Sequence, residues 1–84
     1  MMEEKQKMEL DELDKLILEL VSQERIRQLE KWGEQLHTKR EWWLIFQEEL
    51  QEMIESGYNI EEMFQVTAVM CAWMKDILKN KKRN

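Results

Sequence analysis

The stretch Glu62–Leu78, EMFQVTAVMCAWMKDIL, decides the fold. Met63, Phe64, Val66, Val69, Met70, Cys71, Trp73, Met74, Ile77 and Leu78 fall on nearly every side of a helix. No apolar-polar alternation of period two runs through it, so it does not read as a strand. A helix apolar almost all round is enclosed by other helices. Two neighbours from one short chain cover only part of it. A second subunit is therefore expected to pack there, giving a symmetric dimer or a dimer of dimers.

The rest of the chain agrees. Proline is absent, there are only two glycines, and no window alternates cleanly, so the fold class is all-α. A single domain of 84 residues is expected, with a long first helix over 3–32, then a helical hairpin of 40–56 and 60–80, and a basic tail at 81–84. Leu10, Leu13, Ile17, Leu20 and Val21 predict one buried stripe on helix one. Gly33 ends that helix. Thr38 and Glu41 form a capping-box pattern at the start of helix two. Gly57 supplies a left-handed stop, and Asn59 caps helix three.

Composition narrows the functions. A net charge of −5 argues against nucleic acid as the main partner, because gripping phosphates along a strand needs a basic face. Lys75, Lys79, Lys81, Lys82 and Arg83 crowd the C-terminus, where they complement the negative end of a helix dipole. A grip on a polyanion is the other reading of that cluster. The single cysteine, Cys71, reads as a small core residue. No signal peptide or apolar span of membrane length is visible, so a cytoplasmic protein without a membrane partner is expected. So small a core is marginal, and oligomerisation would cover its four Trp and seven Met.

The chemistry lies in Glu48-Glu49-Leu50-Gln51-Glu52 and Glu62-Met63-Phe64-Gln65. Glu49 and Glu52 stand three residues apart and share a helix face; Glu62 and Gln65 repeat the spacing on the next helix. Joined by the turn Ser56-Gly57-Tyr58-Asn59, the two pairs are aimed at one place. Three carboxylates and an amide carbonyl make an all-oxygen site, the type that suits Mg²⁺ or Mn²⁺ and, through it, phosphates. With 15 Glu in the chain, such a pattern also arises from composition alone. Its setting among Trp43, Phe46, Leu50, Met53 and Ile54 favours the metal reading, since acidic groups edging a core are costly unless paired or bound. On helix one, Glu24, Gln28 and Lys31 share a face beside Arg25. They read either as a solvated face or as cations turned toward phosphate oxygens.

The order Glu24-Arg25-x-Arg27-Gln28-x-x-Lys31-Trp32-Gly33-x-Gln35-x-His37, then Trp42 or Trp43, then Glu48-Glu49-x-x-Glu52, resembles the small MazG-like proteins of phages and prophages. These belong to the all-α nucleoside triphosphate pyrophosphohydrolases. The likeness continues into Glu61–Val69 and Ala72-Trp73, and covers roughly residues 20–75. The resemblance implies a Mg²⁺-dependent cleavage between the α and β phosphates, with Glu49, Glu52 and Glu62 as catalytic metal ligands. It also implies a base stacked on aromatic or imidazole groups, for which Trp32, His37 and Tyr58 occupy comparable regions. Arg25, Gln28 and Lys31 complete the expected nucleotide-binding set. The chain departs from the family pattern at two points. Gln65 stands where the family has Asp, and the connection between Glu52 and Glu62 is short.

Three functions follow as expectations. The first is a nucleotide pyrophosphohydrolase, working in the host cytoplasm if the chain is phage-encoded. The second is a nucleotide-binding protein on the same scaffold that sequesters its ligand, such as a host immune signal, without hydrolysis. The third is an adaptable Met- and Trp-rich surface that grips another protein.

Overall fold

The computed structural model describes residues 8–83. Among them are three helices and no strand: α1 Glu12–Trp32, α2 Lys39–Glu55 and α3 Ile60–Arg83. Local chemistry sets most of the ends. Thr38 Oγ1 accepts from the Glu41 N–H at 3.2 Å while the Glu41 carboxylate accepts from the Thr38 N–H at 2.8 Å, which is the expected capping box. Gly33, with φ 73°, closes α1 and donates its N–H to the Leu29 carbonyl. Gly57, with φ 78°, turns the chain after α2. The Asn59 side chain accepts from the Glu61 N–H at 2.8 Å to open α3.

Two boundaries differ from the sequence reading. α1 begins at Glu12 rather than at residue 3, because Asp11 and Asp14 form a second capping box that satisfies the first free N–H groups there. Residues 3–7 of the expected helix lie outside the described residues. At the other end α3 continues through the expected basic tail to Arg83. Asn84 is outside the described residues.

α3 is the common partner of the other two helices. It packs on both α1 and α2, whereas no Cα of α1 lies within 8 Å of one in α2. The two outer helices are thus splayed over α3. The enclosed residues are few: Val21 of α1, Trp42 of α2, and Val66, Ala68 and Val69 of α3, with Gln28 and Asp76 buried among them. Trp43 is half exposed, so Trp42 is the core member of the pair. The expected stripe on helix one is covered within the chain only at its end, where Val21 is buried. Leu20 is half-buried, while Leu10, Leu13 and Ile17 are 53%, 69% and 47% exposed. On α3 the middle is enclosed at Val66, Ala68, Val69 and Asp76, while Ile60, Met63, Met74, Ile77 and Leu78 remain exposed. Cys71 is half-buried. The radius of gyration of 15.8 Å exceeds the roughly 12 Å of a compact domain this long. No helix among the described residues is long and apolar enough to cross a membrane.

Candidate functional site

The splay of α1 and α2 leaves an open cleft of about 220 Å³ floored by α3. Small residues make the room: Val69 and Ala72 lie at its base. One wall is Arg25, Gln28, Leu29 and Trp32 of α1; the other is Trp42, Ile45, Glu48 and Glu49 of α2. The connection from Gly33 to Leu36 closes one end, near Lys75, Asp76 and Lys79.

Glu49 joins this cleft to the carboxylate cluster. One oxygen each from Glu49, Glu52 and Glu62 lies within 4.8 Å of the others. The reason is geometric: Glu49 and Glu52 are one turn apart on α2, and the four-residue turn brings the first turn of α3 back against them. Glu62 gains from the positive end of the α3 dipole. Glu49 and Glu62 are half-buried and Glu52 is exposed. Glu62 Oε1 is buried with no hydrogen-bond partner. An orphaned carboxylate oxygen beside two further carboxylates fits a divalent cation, which would satisfy it. Gln65 is half-buried one turn further along α3, on the face of Glu62.

Burial raises the Glu49 carboxyl above its ordinary value of 4.5, and the charges of Glu52, Glu62, Glu48 and Glu24 add to the effect. The folded protein therefore holds this proton more tightly than the unfolded chain. Its contribution to stability is complete below pH 4.5 and is lost as pH rises through the raised value. Glu34, held at about 2 by Lys75 and Lys79, and Glu41, lowered by hydrogen bonds from Thr38, act in the opposite sense. Their contributions are present above 4.5 and lost in more acidic solution. With a chelator present, thermal melts should show stability falling as pH rises above 4.5 through the raised value, and Glu49→Gln should flatten that fall. An unchanged slope in the variant would place the pH dependence elsewhere.

Glu24, expected on a solvated face, is instead turned inward, with its side chain 13% exposed. Arg27 grips both of its oxygens, at 2.6 and 3.0 Å, and Gln28 donates to it at 3.4 Å. Arg25 in turn donates to Gln28 at 3.4 Å. This row along α1 carries Arg25 and the buried Gln28 into the cleft wall. Trp32 joins them there, half exposed.

The other expected nucleotide contacts are placed differently. Lys31 does not line the cleft; its Nζ lies 4.9 Å from the centre of the Trp32 ring. His37 borders a separate shallow hollow with Glu41, Leu44, Ile45 and Glu48, and its ring meets Trp42 edge-on at 4.8 Å. Tyr58 is exposed in the α2–α3 turn, with φ 64°, outside the cleft. For Lys31 the reason is that consecutive residues diverge around a helix, so it does not face the same way as Trp32.

Sequence reading missed Asp76. Its Oδ2 accepts from Trp42 Nε1 at 2.8 Å and from the His37 N–H at 3.2 Å, fastening α2 and the α1–α2 connection to α3. A signal was present: Val69, Trp73 and Asp76 fall on one helical stripe, and a carboxylate on a buried stripe is an anomaly that demands partners. Glu34 with Lys75 and Lys79 was also missed, since residues so distant in sequence have no local signature. Comparison with protein-family models, curated proteins and solved structures finds no match for this chain.

Proposed function

We propose that the protein is a Mg²⁺-dependent, MazG-like nucleotide pyrophosphohydrolase that cleaves a nucleoside triphosphate or related nucleotide to monophosphate and pyrophosphate. One observation carries the reading. Glu49, Glu52 and Glu62 converge within 4.8 Å, Glu49 also lines the cleft, and one oxygen among them, Oε1 of Glu62, is buried without a partner. The family resemblance of residues 20–75 supplies the reaction class. Mn²⁺ suits the same oxygens.

In this reading Glu49, Glu52 and Glu62 hold the cation, with the Gln65 carbonyl as a fourth, neutral oxygen. A divalent ion held there would supply positive charge for phosphate oxygens and a water of lowered pKa. Arg25 offers positive charge to the transferring group, and Gln28 offers an amide to sugar or phosphate. Trp32, half exposed in the cleft wall, presents aromatic surface to the base. A volume of about 220 Å³ is below the usual range of roughly 300–1,000 Å³ for small-molecule sites. It suits the base and sugar, with the phosphates extending past Glu49 onto the carboxylates.

The uncovered apolar residues of α1, with Met74, Ile77 and Leu78 of α3, support a homo-oligomer, dimer or tetramer.

The test is to incubate protein and Mg²⁺ with a panel of nucleoside triphosphates and cyclic nucleotides. The protein is then filtered off, and mass spectrometry is run on the filtrate and on the denatured protein. Monophosphate and pyrophosphate in the filtrate, abolished by a chelator, are expected. A panel neither cleaved nor retained overturns the proposal.

Gln65 favours a second reading, a protein that sequesters its nucleotide intact, because three charges retain divalent ions less firmly than four. Gln65→Asp should then tighten Mg²⁺ binding and raise turnover several-fold. An unchanged rate would mean that the carbonyl already serves as a competent ligand.

A further inference from the structure

At the closed end of the cleft, Lys75 and Lys79 both donate to the carboxylate of Glu34, which lies just after α1. All three line the cleft wall. Lys75 reaches Oε2 at 2.7 Å and Lys79 reaches Oε1, so each oxygen has its own ammonium. The lysines stand one turn apart on α3 and converge on a single point. Two ammonium groups aimed at one point form a receptor for a small oxyanion, and the chain's own carboxylate fills it. The side chains remain 43–46% exposed, so water and solutes reach the pair and little free energy is needed to separate it.

We propose that Lys75 and Lys79 form a phosphoryl-binding subsite, whose place Glu34 keeps in the free protein until a ligand phosphate displaces it. The subsite is distinct from the carboxylate cluster. Lys75 lies thirteen residues beyond Glu62, about 20 Å along the helix. Glu48 and Glu49 repel anions at one end of the cleft, and the lysines attract them at the other. A ligand engaging both ends therefore carries two separated phosphoryl groups, one of them beside a cation. That last extension rests on the proposed function; the subsite itself does not.

The experiment is calorimetric titration of the full chain with inorganic pyrophosphate, in chelator so that no cation bridges it to the carboxylates. Glu34→Gln is expected to bind pyrophosphate about fivefold more tightly than the native protein, since the internal competitor is gone. Lys75→Gln with Lys79→Gln should abolish the binding. Glu30→Gln removes the same charge about one turn earlier and should match the native protein. The exposed positions leave folding intact, which thermal melts verify, and Glu34→Ala serves as a second test of the same displacement. Binding by Glu34→Gln no tighter than native overturns the subsite. So does equal tightening in Glu30→Gln, which would reduce the effect to overall charge. Nucleotide hydrolysis plays no part in the readout, so the two proposals fail separately.

Discussion

Replacing Trp42 with alanine is expected to cost about 4 kcal/mol of folding stability, read from urea unfolding. Trp42 is 2% exposed and is the largest side chain among the few that are enclosed. It stacks on Trp73 with ring centres 6.5 Å apart and an interplanar angle of 11°, and its edge meets His37. Its indole N–H is a partner of the buried Asp76 carboxylate. Alanine therefore opens a cavity and removes a donor from a buried charge at the same time. Trp42→Phe separates the two effects: it keeps much of the packing and loses only the N–H, for about 1–3 kcal/mol. A small domain with total stability of roughly 5–15 kcal/mol barely tolerates the first change. If Trp42→Phe lost no stability, the hydrogen bond to Asp76 would not hold the helices together.

Glu49→Ala is expected to reduce nucleotide turnover by a factor on the order of 10²–10³, with the protein still folded. The stability readout changes sign with conditions, and that makes it diagnostic. Native protein should gain melting temperature from Mg²⁺ with nucleotide, because a ligand specific to the folded state must stabilise it, and the variant should lose that gain. In chelator the variant should be as stable as the native protein or more so at pH 7, since Glu52 and Glu62 then repel one neighbour fewer. A purely structural role for Glu49 predicts destabilisation in both conditions. Full activity in Glu49→Ala would sink the assigned centre.

What was legible in the sequence was what is decided within a few residues. The caps at Thr38, Gly33 and Asn59, and the turn at Gly57, depend on local hydrogen bonds and backbone freedom. The meeting of Glu49, Glu52 and Glu62 was legible too, because a short turn between two helices leaves little choice of register. The start of α1 was misjudged because the apolar periodicity runs across Asp11, whose side chain competes successfully for the helix N–H groups. The choice between Trp42 and Trp43 was beyond periodicity, since both neighbour apolar turns. Asp76 decided it from 34 residues away. The inward turn of Glu24 and the Glu34 bridge likewise depend on how three helices pack, which no local pattern encodes.

One consequence of the architecture concerns cooperativity. α1 and α2 have only α3 in common, so thermal opening of one outer helix does not by itself pull the other away. The free protein is built as two folding units that share a central member. A ligand lodged between Arg25 on one side and Glu49 on the other would tie them more firmly than the charges of Glu24, Arg27 and Glu49, which already act across the gap. Its arrival would merge two separately fraying parts into a single one, so that amide protons on the far face of α1 would slow their exchange although nothing there had been touched.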